Sequence, residues 1–411
     1  MKIAIFSDCY FPCVNGVSTS IKDLTQSLLD SGHEVLLVVP EYPNEQPESD
    51  GLFSSGVRML RVPSKPYSNY PGHRQACPGM FFKWDVLREF SPDIIHIQTP
   101  FQMGKLALKW GKKLRVPCVF TYHTLFESYL HYLHWPLPKF ATLMIVRAMT
   151  KRFCHKCKAV IAPSQYVADY LYNTVHVKRP IHVIPSGVPT ALFSGGNMCE
   201  AAKYVSKVGA THLLYVGRLA KEKNLDFIWQ AFAVMRPRYP ALRLIVVGDG
   251  PYRQYLENLT KLMRLEDSIV FVGQQPRERL KHFFALSRCL LFASETETQG
   301  LVLAEAQSAG VPVVAVRAGG VEESVREGVS GFLVNPKDVN GFVERVTCIV
   351  ENGDTFVALS RSARSWASQF AFENTSEQIV NCYNEVLGKP HRKATRLAVE
   401  AHMRLRQGGQ Q

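Results

Sequence analysis

The chain has 411 residues, of which 46% are hydrophobic, and its 48 lysine and arginine residues outnumber its 35 aspartates and glutamates. This length allows two domains of ordinary size, and the hydrophobic share is typical of a globular protein. The formal net charge of +13 indicates an anionic partner, and a nucleic acid is the least favoured one because no zinc finger, helix-turn-helix or aromatic-rich RNA-binding motif accompanies the charge.

The N-terminus and the cysteines narrow the class of protein further. The first residues, MKIAIFSDCYF, hold a short apolar run that Asp8 interrupts, which predicts a first β-strand rather than a signal peptide. No apolar run approaches the roughly 18 residues of a membrane span. The ten cysteines are scattered, as in a reduced, cytoplasmic protein. The C-x-x-C stretch at 154–157 has no partner pair at zinc spacing, so we expect helix residues there and no metal site.

The first half of the chain alternates predicted strands and helices. A strand over KIAIF precedes a helix from about Asn15 to Ser31, and a strand over EVLLVV follows. Further strands are predicted over DIIHIQ, VPCVFTY, AVIAPS and IHVIPS. Short β-branched runs separated by helices are typical of a parallel sheet that is covered on both faces. The Pro-, Gly- and Ser-rich stretch at about 185–197 then predicts a domain boundary.

The second half repeats this pattern. Its predicted strands are HLLYVG, LRLIVVGDG, SIVFVG, CLLFAS, VPVVAV and GFLVN, and only helical patterns follow Asn335. We therefore predict an α/β protein with two Rossmann-like, doubly wound domains that face a cleft. The predicted ranges are 1–188 and 189–370, with a helix at 371–388 that crosses back to the first domain and a basic tail at 389–411. Ligands of such sheets bind at the carboxyl ends of the strands, so site residues are expected directly after strands in both halves.

Two common nucleotide motifs are missing from the sequence. Only Gly16 follows the first strand, whereas a nicotinamide or flavin dehydrogenase needs G-x-G-x-x-G there, and no Walker A sequence occurs. The stretch YVGRLAKEKN instead places Arg218 and Lys223 in a strand-to-helix loop, where two cations can clamp a diphosphate. The alternative is that both are solvated loop charges.

The stretch ETETQGLVLAEA places two glutamates around the predicted start of a helix at Gly300. Glu297 lies in the preceding loop and Glu305 on the first turns. A carboxylate accepts two hydroxyl hydrogens at once, which suits a vicinal diol. The pair therefore favours binding of the hexose and the ribose of a sugar nucleotide over acid–base chemistry. The alternative is that an acid complements the helix dipole.

These stretches resemble the retaining family 4 of glycosyltransferases, which have the GT-B fold, and the match runs from Met1 to about Leu387. Its motifs are SDCYFPCVNGVSTSI, HIQTPF, TYHTLFESYLHY, IPSGV, GRLAKEKN, VGDGP and ETETQGLVLAEAQSAGVPVVAVRAGGVEESV. Several independent motifs in the same order make this resemblance specific.

The resemblance implies a role for each matching residue. Arg218 and Lys223 would hold the donor diphosphate, Glu297 would bind the donor hexose and Glu305 the ribose. His123, which alone would be interpreted as an ordinary loop histidine, would reach the hexose near the reacting carbon. The implied catalytic set is His123, Arg218, Lys223 and Glu297. The implied donor-binding set is Gly16, Gly217, Arg218, Lys223, Glu297, Gln299, Gly300, Leu301 and Glu305. The reaction would retain the anomeric configuration and use no metal or other cofactor, because the two cations neutralise the leaving diphosphate.

The stretch TYHTLFESYLHYLHW resembles bacterial diacylglycerol glucosyltransferases, which make α-glucosyl diacylglycerol from UDP-glucose. Related phosphatidylinositol mannosyltransferases and sulfoquinovosyl transferases share its first histidine and differ afterwards. The residues implied for the acceptor side are Asn15, Glu127, Tyr129, His131 and Tyr132. The alternatives are an aromatic surface loop here, a UDP-galactose or GDP-mannose donor, and a phosphatidylinositol, polyprenyl-linked or soluble acceptor. A non-catalytic sugar-nucleotide-binding module is disfavoured because the implied catalytic residues are present.

Residues 139–158 predict an amphipathic helix for contact with a membrane. Its basic residues are Arg147, Lys151, Arg152, His155 and Lys158, and its apolar side has Ile145, Met149 and Phe153. A basic amphipathic helix without a membrane span predicts a peripheral protein on anionic lipid, here the inner face of the cell membrane. The alternative is a covering helix that packs on the sheet. The two interpretations are compatible if the basic side of the helix contacts lipid while its apolar side packs on the sheet.

Overall fold

A computed structural model describes residues 1–42, 57–66, 74–79, 84–128, 137–205 and 210–389. Its strands are β1 (Lys2–Phe6), β2 (Glu34–Pro40), β3 (Arg58–Val62), β4 (Ser64–Pro66), β5 (Arg74–Ala76), β6 (Ile94–Ile97), β7 (Cys118–Thr121), β8 (Ala159–Ala162), β9 (Ile181–Val183), β10 (Thr211–Val216), β11 (Leu242–Val247), β12 (Ile269–Gly273), β13 (Cys289–Phe292), β14 (Val313–Val316) and β15 (Gly331–Val334). Its α-helices are α1 (Gly16–Asp30), α2 (Asp85–Phe90), α3 (Gln102–Leu114), α4 (Lys139–Cys154), α5 (Gln165–Asp169), α6 (Met198–Ala202), α7 (Leu225–Met235), α8 (Arg253–Leu262), α9 (Leu280–Leu286), α10 (Leu301–Ser308), α11 (Val321–Ser324), α12 (Val339–Glu351), α13 (Gly353–Ala367) and α14 (Phe372–Val386).

The first domain is built on a parallel sheet in the order β3-β2-β1-β6-β7-β8-β9. The chain moves outward from β1 to β3 and then returns to the other side of β1, where β6 pairs with it. This reversal creates a switch point between β1 and β6, and ligands of doubly wound sheets bind outside such a point. The short hairpin of β4 and β5 is antiparallel and lies outside this sheet.

The second domain has a parallel sheet in the order β12-β11-β10-β13-β14-β15. Its switch point lies between β10 and β13, which pair through Leu213 and Leu214. The central strands are buried because helices cover both faces, and this explains why they form continuous apolar runs in the sequence. The predicted α/β fold class with two doubly wound domains is confirmed.

The last helix, α14, lies on the first domain although it follows the second sheet in the chain. Ile379, Cys382 and Tyr383 are buried with Ile3 and Ile5 of β1 in one apolar cluster. The Oγ atom of Ser27 also donates a hydrogen bond to that of Ser376 over 2.7 Å. The chain therefore crosses between the domains twice.

The helix predicted over 139–158 is shorter than expected and faces the other way. It ends at Cys154, so His155 and Lys158 lie beyond it. The Lys158 amide donates to the carbonyl of Cys118, where β7 and β8 begin to pair. The packed side of α4 consists of Thr142, Val146, Thr150, Phe153 and Cys154. The predicted apolar packing side is therefore wrong for Ile145 and Met149, which are exposed, and right for Phe153. Thr142, Val146, Thr150 and Phe153 recur at helical spacing on the packed side, and Ile145 and Met149 lie on a different side of the helix.

None of the described helices combines the length and the apolar character that crossing a membrane requires.

Candidate active site

The carboxyl ends of the two sheets meet at a loop of the second domain. This loop joins β13 to α10, and its Thr298 hydroxyl donates to the carbonyl of His123 over 3.0 Å. Ser164 of the first domain donates in turn to the Thr298 carbonyl over 2.7 Å. The side chain of Gln299 accepts from the Ser186 amide and donates to the Ser186 carbonyl. These bonds place residues 297–300 directly against the end of β7.

The loop turns into α10 at Gly300. Its φ of +84° lies in the left-handed region, and a Cβ atom there would come within 2.9 Å of the Leu303 side chain. Glycine therefore lets the chain enter the helix with its first amides directed along the helix axis toward the preceding loop. Leu301 begins the helix, and Gln299, which is buried, binds the other domain.

Glu297 is paired with Lys223. The Nζ atom of Lys223 lies 2.5 Å from Oε1 of Glu297, and the two side chains are about one-fifth exposed. Burial by itself would raise the pKa of Glu297, but the neighbouring ammonium outweighs it and holds the pKa below its usual range. The residues implied for the hexose and for the diphosphate are thus in contact.

Arg218 follows β10 directly after Gly217. Its guanidinium contacts the carboxylate of Glu222, one helical turn further along the chain. Gly217 is packed tightly, because a Cβ atom added to the neighbouring Gly248 would lie 1.9 Å from the Gly217 carbonyl oxygen. This close approach of two backbone segments positions Arg218 at the switch point of the second sheet.

Glu305 is held by a residue that the sequence motifs do not include. Arg277, four residues after β12, donates from Nε to Oε1 of Glu305 over 2.8 Å. Its Nη1 donates to both carboxylate oxygens of Asp23 on α1, at 2.8 and 2.7 Å. Burial raises the pKa of Asp23 to about 6; the charge of Glu305 adds to this effect and Arg277 opposes it. The implied ribose carboxylate therefore lies in an ion triad that joins the two domains.

His123 lies two residues beyond β7, and its Nε2 atom is 2.6 Å from Oε1 of Gln98. Burial lowers the pKa of His123 to about 4, so its imidazole is neutral near pH 7. A neutral imidazole can bind a hydroxyl and cannot act as a cation toward a diphosphate.

The start of α1 faces the start of α10. A Cβ atom on Gly16 would lie 3.9 Å from Cδ1 of Leu301. The side chain of Asn15 caps α1 by accepting from the amides of Val17 and Ser18. Its oxygen is therefore committed to the helix, and the predicted acceptor role of Asn15 is left to its amide group, which contacts Cys9 Sγ.

The acceptor loop is anchored to α4. Both carboxylate oxygens of Glu127 accept from Arg147, at 2.5 and 2.9 Å, and Tyr170 donates to one of them over 2.5 Å. Burial alone would raise the pKa of Glu127, but these hydrogen bonds hold it below the usual range. Arg147, which is predicted to meet lipid, is 36% exposed and pairs its charge with Glu127 in this structure, so its contact with lipid stays a prediction. Tyr129, His131 and Tyr132 lie outside the described residues.

The remaining predicted membrane cations are not gathered on one face. Arg152 and Lys158 are exposed, while Lys151 and His155 are half-buried. The nitrogen Nε2 of His155 accepts from the Lys178 amide. Across the described ranges, no group of three or more His, Cys, Asp or Glu side chains could hold a metal ion.

Sequence reasoning missed three residues of this site: Asp23, Gln98 and Arg277. Gln98 follows β6 directly and Arg277 follows β12, so the rule that ligands bind at the carboxyl ends of strands could have indicated both. Asp23 lies in the second turn of α1, within an amphipathic pattern, and carries no comparable signal.

Comparisons with known proteins agree with this geometry. Residues 14–192 match the family model Glycosyltransferase Family 4, and residues 200–366 match Glycosyl transferases group 1. The chain is 30% identical to the alpha-monoglucosyldiacylglycerol synthase of Streptococcus pneumoniae, over 77% of this chain and 71% of that protein. It is 28% identical to the Acholeplasma laidlawii synthase of the same name, over 96% and 99% of the two chains. It is also 30% identical to a GDP-mannose-dependent alpha-mannosyltransferase of Corynebacterium glutamicum, over 85% and 80%.

Solved structures share the whole fold. Sucrose-phosphate synthase from Thermosynechococcus elongatus superposes with a TM-score of 0.76 at 22% identity, over 94% of this chain and 99% of that one. Anabaena HepE in complex with UDP-glucose gives a TM-score of 0.74 at 20% identity, over 94% and 100%. At these identities the likeness establishes the fold, which is the GT-B arrangement of two Rossmann-like domains.

Proposed function

The chain belongs to glycosyltransferase family 4, and from this premise we propose that it transfers glucose from UDP-glucose to diacylglycerol, with retention of configuration. The names of its relatives support a glycolipid product, since two of them are alpha-monoglucosyldiacylglycerol synthases. The HepE structure, which contains UDP-glucose, supports the donor. The product would be α-glucosyl diacylglycerol.

One observation carries the catalytic part of this proposal. The loop that holds Glu297 is hydrogen-bonded through Thr298 to the backbone of His123. The residue implied for the hexose and the histidine implied for the reacting carbon are thereby supported from opposite domains around one point. A donor between them would contact Lys223 as well, because its ammonium already touches Glu297.

The proposed mechanism relies on positioning and on electrostatic stabilisation. Arg218 and Lys223 would neutralise the charge that develops on the departing diphosphate, in place of a metal ion. The acceptor hydroxyl would attack from the face that the diphosphate leaves, and a diphosphate oxygen would take its proton. Glu297 would hold the hexose hydroxyls during this step. The neutral His123 would orient the sugar rather than donate a proton.

An exposed apolar surface supports the lipid acceptor. We call it the α4 outer face and define it by Phe140, Met144, Ile145 and Met149 of α4, together with Leu137 just before the helix. These large apolar side chains are between 38% and 68% exposed. Lys139 and Arg152 are exposed beside them. An apolar surface with cations at its border suits the interface of an anionic membrane, where apolar groups enter the acyl boundary and cations meet the head groups. We propose that this face, rather than the basic side predicted from sequence, binds the inner face of the cell membrane.

A second donor has specific support. The relative from C. glutamicum is a GDP-mannose-dependent enzyme and is as similar in identity as the S. pneumoniae synthase. A mannosyltransferase, with another lipid or a soluble glycan as acceptor, is therefore the second candidate.

The experiment supplies each radiolabelled donor, UDP-glucose, UDP-galactose or GDP-mannose, with diacylglycerol in mixed micelles that contain an anionic lipid. We expect a labelled glycolipid with UDP-glucose, formed in the presence of a metal chelator and in the α configuration. Phosphatidylinositol, a polyprenyl phosphate and a soluble oligosaccharide serve as competing acceptors. Labelled product with one of these and none with diacylglycerol would refute the proposed acceptor.

A further inference from the structure

A chain of hydrogen bonds connects His123 to the last helix. Nε2 of His123 lies 2.6 Å from Oε1 of Gln98, and Nε2 of Gln98 lies 3.1 Å from Nδ1 of His96. The hydroxyl of Tyr383 on α14 lies 2.6 Å from the same Nδ1 atom. His96 and Tyr383 are fully buried and Gln98 is 2% exposed. This series of hydrogen bonds therefore starts in the cleft and ends inside the first domain.

The Gln98 amide gives this chain a direction. The structure places its oxygen toward His123, and because an amide oxygen only accepts, Nε2 of His123 carries the hydrogen in this arrangement. Its nitrogen can only donate, so Nδ1 of His96 must present a lone pair, to which the Tyr383 hydroxyl also donates. The hydrogen of His96 then lies on Nε2, which is 2.6 Å from the Thr121 hydroxyl oxygen. Each bond in the chain thus pairs a donor with an acceptor, as a buried polar network requires.

Both imidazoles are neutral in these surroundings. Burial, assisted by the charge of a protonated His123, lowers the pKa of His96 to about 3. Burial lowers the pKa of His123 to about 4. A neutral imidazole has one donor and one acceptor, and the donor of His123 is bound to Gln98. Its remaining ring atom, Nδ1, is an acceptor, and none of the hydrogen bonds found among the described residues involves it.

We propose that Gln98 is a positioning residue that fixes His123 as the Nε2–H tautomer, so that Nδ1 accepts a hydrogen bond from a hydroxyl of the donor hexose. His96 and Tyr383 hold the Gln98 amide in the orientation that this requires. An imidazole lone pair accepts a hydrogen bond from a neutral hydroxyl. It repels an anionic phosphate oxygen, because the ring nitrogen and that oxygen are both acceptors. The tautomer therefore assigns His123 to the sugar end of the donor. The choice of a hexose hydroxyl rests on the proposed function, while the tautomer itself does not.

The first test is ¹⁵N NMR of the histidine side chains in the full-length protein without substrate, with His123→Asn used to assign the signals. We expect a protonated Nε2 and an unprotonated Nδ1 for His123. Gln98→Leu keeps the approximate volume and removes both hydrogen bonds, so the ring should change to a mixture of tautomers. Gln98→Glu retains an oxygen acceptor for His123 and should retain the Nε2–H form. An Nδ1–H tautomer in the unaltered protein would overturn the proposal.

The second test is kinetic and uses whichever donor supports transfer. We expect Gln98→Leu to lower kcat/KM for the donor about 10-fold or more, as loss of an orienting partner commonly does, and Gln98→Glu to restore part of it. Circular dichroism checks that each variant is folded. Equal rates for Gln98→Leu and the unaltered protein would also contradict the proposal.

Two variants of α14 provide a matched comparison. Tyr383→Phe and Ser376→Ala each remove a hydroxyl that bonds to the first domain, but only Tyr383 belongs to the chain of bonds. We expect Tyr383→Phe to broaden the tautomer distribution and to lower the rate, and Ser376→Ala to do neither. Equal effects of the two variants would show that the hydrogen bond of Tyr383 to His96 contributes only to packing and does not position His123. If no glucolipid forms in the donor assay but the tautomer is as expected, only the proposed function fails.

Discussion

The charged side chains of the candidate site occur as pairs of opposite sign. Glu297 lies against Lys223, and Glu305 against Arg277. Burial raises the pKa of a carboxylate and an adjoining cation lowers it, and at Glu297 the ammonium of Lys223 outweighs burial. In the proposed mechanism, donor binding would share Lys223 between Glu297 and the diphosphate. Removal of one cation is therefore expected to affect the site through both its charge and its remaining partner.

Lys223→Ala tests the diphosphate role. We expect the transfer rate to fall about 100-fold or more, because one source of charge stabilisation for the leaving group is lost and Glu297 is left buried without its cation. The measurement is initial rate with the preferred donor. Lys221→Ala removes an exposed lysine from the same 3-10 turn and should keep the rate. Equal losses in both variants would show that general surface charge is responsible.

The acid stability of the protein tests the burial of His96. A histidine with a pKa lowered from 6.5 to about 3 contributes stability that is fully present above pH 6.5 and is lost as the pH falls toward 3. The expected loss is about 1.4 kcal/mol per pH unit in that window. His96→Asn keeps an acceptor near the Nδ1 position and cannot be protonated, so its free energy of unfolding should depend less on pH between 6 and 4. Urea denaturation at several pH values measures this, and parallel curves would contradict it.

The helix α4 serves two purposes with two faces. Its inner side anchors the loop that follows His123, because Arg147 holds Glu127 together with Tyr170. Its outer face exposes Phe140 and Met144, at 68% and 66%. Contact of the outer face with a membrane would therefore place a bound lipid next to the acceptor loop.

Phe140→Glu combined with Met144→Glu tests membrane binding. We expect binding to vesicles with 30% anionic lipid to fall about 10-fold or more, because two apolar groups are replaced and two negative charges are added near a negative surface. UDP binding should be unchanged, because the proposed donor site around Lys223 and Glu297 lies in the second domain and α4 lies in the first. Leu262→Glu changes a similarly exposed apolar residue on α8 of the second domain and serves as the control. Co-sedimentation that does not change in the double variant would disprove the role of the α4 outer face.

In the whole molecule, polar contacts between described residues around the cleft join the two domains. Thr298 and Gln299 bind the backbone of the first domain, and Glu323 accepts from the amides of Gln165 and Tyr166. The triad of Asp23, Arg277 and Glu305 adds two ion pairs between the domains. In both of them the two charged side chains are largely buried. Glu305, which is proposed to bind the ribose of the donor, therefore also takes part in the contact between the domains.

Arg277→Ala tests this coupling between the domains. We expect the free energy of unfolding to fall by about 3 kcal/mol at pH 8, because Asp23 and Glu305 lose the cation between them. UDP should also bind more weakly, since Glu305 is no longer oriented. Arg279→Ala removes an exposed arginine from the same turn and should have little effect. Denaturant titration and calorimetry measure the two quantities, and equal results for both variants would argue against a structural triad.

Much of the fold was predictable from local patterns, whereas the contacts of the site were not. The strand predictions correspond to observed strands because buried parallel strands require continuous apolar runs. The strand β3 and the hairpin of β4 and β5 were missed, because arginines interrupt the apolar residues of β3 (RMLRV) and the two strands of the hairpin are three residues long and mostly polar. Glu305 was predicted at a helix start, but its partner Arg277 lies 28 residues away, and the other partner of Arg277, Asp23, lies 254 residues from Arg277. No local spacing encodes such a pairing.

The sequence by itself determined the fold class, the family and the set of residues around Gly300, because period, glycine positions and motif order are local properties. The tertiary structure decided which side of α4 faces solvent, since that depends on the shape of the surface on which the helix packs. It also decided that Glu127 binds Arg147 and that α14 supplies Tyr383 to the buried chain behind His123. These contacts join residues that are distant in sequence, and only the packing of α4 and α14 against the first domain brings them within hydrogen-bond distance.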